Sequence, residues 1–251
     1  MLRVGVSIVS HNNQHEIIQN HANYKSIENV EFEVCITDNT GSPLLRKFCE
    51  EKQYLYVLNE TKKGFGENNN QNIAYFENKD LLLIVNPDVK FDLNEFVNHI
   101  NRIYNLNWDI CGARVVEENG LKKSSHRRLF PALLDPIISF IFKKKLFLLN
   151  PNISSDVDWV GGSFMIIRPK SFLKLGGFDQ KYFMYYEDID LCKRAIMMNL
   201  KVYYFSDFSF FHGAKRAGHK LFSKAFWWNF RSMIIYFKKY PTLKLFGPNK
   251  F

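Results

Sequence analysis

The sequence predicts an α/β protein with a mainly parallel sheet flanked by helices, and three observations carry that prediction. Short apolar, β-branched runs alternate with helix-compatible segments of about ten residues as far as Val85. The loops that follow the predicted strands are polar, small and turn-forming. No internal repeat, low-complexity stretch or Gly/Ser linker divides the chain, so one compact unit accounts for it.

In order, Val4–Val9 reads as a strand, Glu16–Ser26 as a helix and Phe32–Thr37 as a second strand ending at Asp38. Leu44–Lys52 follows as helix, Tyr54–Leu58 as strand, Asn68–Glu77 as helix, and Leu81–Val85 as the most hydrophobic strand of the set. Strands spaced by single helices are βαβ units. From about Leu106 the alternation becomes irregular. Trp108–Val116 and Trp159–Arg168 read as strands, Pro169–Leu175 and Glu187–Met198 as helices, and Val202–His212 as one or two strands.

A chain of 251 residues that is 46% hydrophobic and 24% charged is a globular chain, not a disordered one. At this size roughly 70–75% of the unfolded surface is buried on folding, so neither disulfides nor a structural metal are required. Cys35, Cys49, Cys111 and Cys192 form no CxxC pair and are expected as reduced thiols of a cytosolic protein. Met1 leads almost directly into Val4–Val9, which is too short for a signal-peptide core, and no stretch has the length of a membrane span. The net charge of +9 is localised: after Asp207 there are nine basic residues and no acidic one, which leaves 25 of each sign in positions 1–207. A neutral body with a basic, aromatic tail points to an anionic surface met at one edge.

Parallel α/β sheets bind ligands at the carboxyl ends of their strands. The loops expected there are Ser10-His11-Asn12, Asp38 to Ser42 and Asn86-Pro87-Asp88. Asp88, delivered by a buried strand after a proline, is either a turn cap or a hard oxygen ligand for a divalent cation. Gly64-Phe65-Gly66 before a helix start is either a plain turn or a place where backbone amides approach an anion; it has neither the third glycine of a dinucleotide fingerprint nor a Walker lysine. Glu187, Asp188 and Asp190 open a helix after five aromatics and a methionine. Glu187 or Asp188 as a helix cap is the plain reading; the alternative is that the aromatics shield a carboxylate and raise its pKa toward that of a working base. Asp190 and Arg194 are spaced as an i,i+4 pair. His212 ends an apolar strand as either a packing residue or, beside Asp88, a metal ligand.

These residues together resemble a family 2 inverting glycosyltransferase of the GT-A, Rossmann-like fold. The motifs are the Val4–Asn13 strand and loop, Asp38-Asn39, Gly64 to Asn70, Asn86-Pro87-Asp88, Trp159 to Met165, Gly177-Phe178-Asp179, Phe183 to Cys192, and His212. They occur in family order over about residues 3–212. Asn-Pro-Asp, Phe130-Pro131 and Phe222 to Phe226 are similar to those of bacterial O-antigen rhamnosyltransferases. The resemblance implies that Ser10, Asn12, Asp38, Gly64, Asn69 and Asp88 bind the nucleotide sugar, with Asp38 on the pyrimidine base. It implies that Asp88 and His212 hold Mg²⁺ or Mn²⁺, that Asp188, with Glu187 as rival, is the catalytic base, and that Trp159, Gly161 and Gly162 line the acceptor side. Asn86 stands in place of the first acid of the commoner Asp-x-Asp, His11 where relatives have Tyr, and Thr40 interrupts the usual Asp-Asn-Gly-Ser turn.

The expected organisation is a catalytic domain over 1–219, with a nucleotide-sugar half (1–105) and an acceptor half (106–219), and a basic, aromatic, amphipathic helix within 220–251. On a helical projection Lys220, Lys224, Arg231 and Lys238 form a stripe with Trp227, Trp228 and Ile235 beside it. Phe222, Phe226, Phe230, Met233, Phe237 and Tyr240 fall opposite. The expectation is that the Phe side packs on the domain while Lys224, Trp227, Trp228, Arg231 and Lys238 meet the inner face of the cytoplasmic membrane; an ordinary core helix with solvated lysines is the alternative. A second contact is expected from Lys122–Arg128 and Lys143–Lys145 around Pro136–Phe142.

The implied activity is transfer of L-rhamnose from dTDP-rhamnose to a polyprenyl-diphosphate-linked glycan by a cytoplasmic, peripheral enzyme of surface polysaccharide synthesis. A UDP-hexose donor is the alternative within the same fold. Nucleic-acid binding through the tail is disfavoured, since no RNP, KH or helix-turn-helix pattern is present and the 187–190 acids would repel phosphate. An inactive scaffold is disfavoured because every polar position that the chemistry needs is filled.

Overall fold

The structure is a computed structural model that describes residues 1–116, 123–125, 129–132, 152–213 and 223–241. Lys122, Arg127, Arg128, Pro136–Phe142, Lys143–Lys145, Lys220 and Phe222, all named above, lie outside the described residues.

The strands are β1 (Leu2–Ser10), β2 (Val30–Asp38), β3 (Leu55–Leu58), β4 (Leu81–Val85), β5 (Val89–Lys90), β6 (Ile110–Val116), β7 (Lys123–Ser125), β8 (Ser155–Asp156), β9 (Phe164–Ile167) and β10 (Val202–His212). The helices are α1 (Gln14–Asn20), α2 (Pro43–Lys52), α3 (Phe65–Ile73), α4 (Leu93–Ile103), α5 (Pro169–Lys174), α6 (Glu187–Met197) and α7 (Lys224–Lys239). The main sheet runs in the order β3-β2-β1-β4-β9-β6-β10-β5, with β7 beside β6 and β8 beside β10. β3, β2, β1 and β4 are parallel, as the βαβ alternation requires. Beyond β4 the sheet is mixed: β9 runs antiparallel to both β4 and β6, and β5 antiparallel to β10.

Alternation along the strands divides the core between the two sheet faces. Leu81, Leu83 and Val85 of β4 join Phe164 and Ile166 of β9 under α1, α2 and α4, whereas Leu82, Ile84, Met165 and Ile167 join α3, α5, α6 and α7 on the other face. α4 and the short strands β5, β7 and β8 are additions to the elements expected from sequence; α4 is capped by Asp92, whose side chain accepts from Glu95 N–H at 2.8 Å, and buries Phe96, Val97, Ile100 and Ile103. Trp159–Arg168 is not one strand: only Phe164–Ile167 is extended, because residues 161–163 form the loop that enters β9. Val202–His212 is one strand whose register with β6 shifts between Tyr204 and Ser209. Cys35, Cys49, Cys111 and Cys192 are buried and free.

α3 is fastened to the sheet by asparagines. Asn72 donates to Ser7 Oγ (3.0 Å) and Ile8 O (3.2 Å), and accepts from the Thr37 hydroxyl. Asn69, expected beside the nucleotide, is instead fully buried: it accepts from Ser7 Oγ at 2.6 Å and donates to Phe65 O. Asn70 brackets Phe178 by accepting its N–H (2.8 Å) and donating to its O (2.9 Å). Each of these amides satisfies buried groups that have no other use for water.

Asn72→Leu should therefore strand the Thr37 hydroxyl, remove the donor to Ser7 Oγ and lower stability by about 2–4 kcal/mol, read as a fall in the thermal midpoint relative to wild type; an unchanged midpoint would show that the strands do not depend on this amide.

Candidate active site

The parallel registers align the strand ends. Ser10 pairs with Asp38 and Asp38 with Leu58, so the loops after β1, β2 and β3 leave from one rim. Val85 pairs with Phe164 in the antiparallel β4–β9 ladder, which sets the loop leaving β4 (86–88) beside the loop entering β9 (161–163); Asn86 N–H donates to Ser163 O at 2.9 Å. β10 ends at the same rim, where His212 pairs with Val89.

Asp38 is fully buried, and both its oxygens are engaged from within the chain. Oδ1 accepts from Thr40 N–H (2.9 Å) and Oγ1 (2.7 Å), and Oδ2 from Ser42 N–H (2.7 Å) and the Tyr56 hydroxyl (3.0 Å). Burial alone would raise its pKa; the hydrogen bonds from Thr40, Ser42 and Tyr56 outweigh it and hold the carboxyl below its ordinary value. The structure thus gives Asp38 the work of folding its own loop, with Thr40 as a capping partner instead of an interruption. Next to it Ser10 Oγ is buried without a hydrogen-bond partner, and Asn39 accepts from Lys63 N–H (3.1 Å) and Asn59 Nδ2 (2.8 Å). Asn12 is exposed with φ 62°, a left-handed conformation that asparagine tolerates.

The Gly64-Phe65-Gly66 turn is explained by packing. A Cβ on Gly64 would stand 2.5 Å from Phe183 O, and one on Gly66 2.7 Å from Phe178 Cβ. Both glycines let α3 close against the 178–183 segment, and Phe65 N–H donates to Phe183 O at 2.9 Å.

Asp88 and His212, far apart in sequence, meet: Oδ1 lies 3.3 Å from Nε2, both side chains partly exposed at the rim. The turn beneath them rests on residues that carry no sequence motif. His21 Nε2 is 3.1 Å from Asn86 O, and Asn20 Nδ2 donates to Pro87 O at 2.9 Å. Burial pushes the His21 pKa down to about 4, so the ring is neutral near pH 7. Among the described residues no cluster of three His, Cys, Asp or Glu side chains forms a closed cation site. A carboxylate with an imidazole at a solvent-facing rim nevertheless suits a divalent cation that takes its remaining ligands from water or phosphate.

The three acids of α6 have three environments. Asp190 has no exposed surface and is neutralised by Arg194 Nε (2.8 Å) and Lys239 Nζ (2.7 Å), with the Tyr240 hydroxyl at 2.9 Å. Glu187 is buried, its Oε2 has no hydrogen-bond partner, and burial with the neighbouring Asp188 charge drives its pKa well above the ordinary value. Asp188 is the half-buried one, oriented by Gly162 N–H at 2.9 Å to Oδ2 and Ile189 N–H at 2.9 Å to Oδ1. Of the three acids only Asp188 is not buried, which is the access that a general base needs. Tyr185 (φ 69°) and Tyr186 (φ 68°) are both left-handed immediately before these acids, a strained turn that swings the chain into α6. Gly161 and Gly162 line the loop beside Asp188, whereas Trp159 is buried with its indole N–H donated to Leu129 O at 2.9 Å, a packing contact.

α7 is amphipathic, but its inward stripe is rotated from the expected one. Ser232 and Tyr236 are buried, Trp228 packs on Phe183 (ring centroids 4.9 Å apart), and Lys239 forms internal ion pairs. Phe230, expected to face the domain, is exposed together with Trp227 and Ile234, and Trp228, expected to face a membrane, is turned inward. The cause is the polar anchoring of the inner face at Ser232, Lys239 and Tyr240, which projection by hydrophobicity does not register. Lys224, Arg231 and Lys238 are exposed as expected.

The fold and this rim define a glycosyltransferase of the GT-A fold. The chain is 32% identical over 245 residues to rhamnosyltransferase WbbL of Escherichia coli (strain K12), covering 92% of that protein. It belongs to the family 2 glycosyltransferases and is similar to their bacterial rhamnosyltransferases. It is 27% identical over 194 residues to the low-salt glycan biosynthesis hexosyltransferase Agl10 of Haloferax volcanii, spanning 61% of it. A 38-residue segment is 50% identical to an N-acetylglucosaminyl-diphospho-decaprenol L-rhamnosyltransferase of Mycobacterium tuberculosis. No protein-family model matches the chain. The fold is shared with GalNAc-T7 solved with UDP, GalNAc and Mn²⁺ (TM-score 0.64, 13% identity, 95% of this chain and 48% of that one) and with TarS 1–349 of S. aureus (TM-score 0.60, 15% identity, 84% of this chain and 60% of that one).

Because the native state keeps a proton on Glu187 that the unfolded chain has released above its ordinary carboxyl pKa of 4.5, this group's contribution to stability falls as pH rises from there. Denaturant unfolding between pH 5 and 8 should show wild type losing up to about 1.4 kcal/mol per pH unit relative to Glu187→Gln; parallel profiles would mean that Glu187 ionises freely in place.

Proposed function

We propose that the protein transfers L-rhamnose from dTDP-rhamnose to a polyprenyl-diphosphate-linked glycan during O-antigen-type surface polysaccharide synthesis, as a peripheral enzyme on the inner face of the cytoplasmic membrane. The observation that carries this reading is the 32% identity to a rhamnosyltransferase over nearly the whole length of both chains. The decaprenol-linked substrate in the name of the M. tuberculosis relative supports the acceptor class.

In this reading the nucleotide lies along the rim of residues 1–105, against Ser10, Asn12 and the loop that Asp38 organises, and the acceptor enters from the 106–219 side at Gly161-Gly162. Asp188 takes the proton of the acceptor hydroxyl as its oxygen attacks the anomeric carbon. The bond from that carbon to the diphosphate oxygen breaks, nucleoside diphosphate leaves, and the configuration inverts. Gly162 N–H holds Oδ2 of the carboxylate and so fixes the direction of proton transfer. Asp88 and His212 would hold Mg²⁺ or Mn²⁺, which when bound offsets the charge gathering on the leaving diphosphate.

Thermal stability against dTDP-rhamnose, dTDP-glucose, UDP-glucose, UDP-GlcNAc and GDP-mannose with Mn²⁺ should single out dTDP-rhamnose. Asp188→Asn should keep that shift while losing at least about 10³-fold in transfer. A UDP-sugar preference would move the donor to a UDP-hexose with the same mechanism, and full activity of Asp188→Asn would remove the base.

The outer face of α7 suits the membrane. Trp227, Phe230 and Ile234, at 53%, 43% and 38% exposure, form an apolar strip edged by Lys224, Arg231 and Lys238. Among the described residues no helix is long and apolar enough to cross a bilayer. Changing Trp227, Phe230 and Ile234 together to Ser should leave the fold intact and weaken co-sedimentation with anionic phosphatidylglycerol vesicles by at least about tenfold, whereas undiminished binding would place the membrane contact elsewhere.

A further inference from the structure

We infer that α7 is the positioning element of the base loop, and that Lys239 and Tyr240 are positioning residues for Asp188 acting through Asp190. The inference takes Asp188 as the base from the function proposed above. Its ground is that the inner face of α7 grips the segment carrying the acids, turn by turn. Trp228 packs on Phe183, Ser232 Oγ donates to Met184 O at 2.9 Å, and Tyr236 packs against Tyr186 with tilted rings and centroids 5.4 Å apart. Lys239 Nζ lies 2.7 Å from Asp190 and 2.7 Å from Asp179, and the Tyr240 hydroxyl donates to Asp190 at 2.9 Å.

Two features make this grip more than ordinary packing. The gripped segment contains the consecutive left-handed residues Tyr185 and Tyr186, a conformation that side-chain-bearing residues hold only where surrounding contacts over-determine it. α7 supplies contacts to Phe183, Met184 and Tyr186. Further, Asp190 lies in the same first turn of α6 as Asp188 and Glu187, so three carboxyl groups share one helical turn. Asp190 stays buried there because Arg194, Lys239, Tyr240 and, at 3.4 Å, the Tyr182 hydroxyl meet it. Releasing Lys239 would leave Asp190 with one cation, Arg194, and two hydroxyls, loosen the first turn and let Asp188 move off the Gly162 N–H. The same helix exposes Trp227, Phe230 and Ile234 on its other side, so whatever orders the outer face also steadies the base.

The test uses the full chain with Lys239→Met, Lys239→Arg and Tyr240→Phe. Lys239→Met should lower kcat at least about tenfold while the KM for donor stays within about twofold, and Lys239→Arg should recover most of the loss. Amide hydrogen exchange, which needs no activity, should quicken at residues 182–190 in Lys239→Met and stay unchanged in β1–β4. Tyr240→Phe, which removes only one hydroxyl, should shift both readouts in the same direction by less and serves if Lys239→Met does not fold. Unchanged exchange at 182–190 in the variants overturns the inference whatever the activity. Equal losses in donor affinity and kcat would also overturn it, by showing a general structural role. Failure of wild type to transfer any sugar would refute the proposed function and leave the exchange result to decide the inference on its own.

Discussion

The site depends on one strand placement: β9 lies antiparallel between β4 and β6. A parallel strand there would have sent its leading loop to the far side of the sheet. The antiparallel pairing of Val85 with Phe164 brings residues 161–163 beside Asn86-Pro87-Asp88, and the Asn86–Ser163 hydrogen bond closes the contact. Gly162 then reaches Asp188, so the rim that presents Asp88 and His212 is joined through three successive contacts to the carboxylate on α6.

Within α6 the fold differentiates chemically similar groups. Burial and the neighbouring Asp188 charge push the Glu187 carboxyl well above its ordinary pKa, Arg194 and Lys239 pair with Asp190, and Asp188 is held at the surface by the Gly162 N–H. The cost is the strained Tyr185-Tyr186 turn, which α7 braces through Met184 and Tyr186. Polar anchoring of the inner face leaves Trp227, Phe230 and Ile234 outside with a basic edge, an arrangement suited to a lipid surface and costly in water alone.

The sequence was a good guide wherever the physics is local. Period-2 and 3.6 patterns located most of the strands and helices, although α4 and the short strands β5, β7 and β8 went unread and the strand at Trp159 began too early. The i,i+4 pairing of Asp190 with Arg194 was legible for the same reason. One-dimensional spacing did not show the packing contacts of three of these residues: Gly64 closes against Phe183, Asn69 is hydrogen-bonded to Ser7, and Asp38 ties its own loop.

The sequence by itself determined the alternation of elements, the neutral body with its basic tail, and the membership of the acids in one helical turn, because each follows from residues adjacent along the chain. Only the tertiary structure decided that Asp88 meets His212, that His21 supports the turn between them, which of the three acids is accessible, and which face of α7 looks outward. Each of these depends on burial and on partners distant in sequence, and a carboxylate's charge state is set by the groups folded around it.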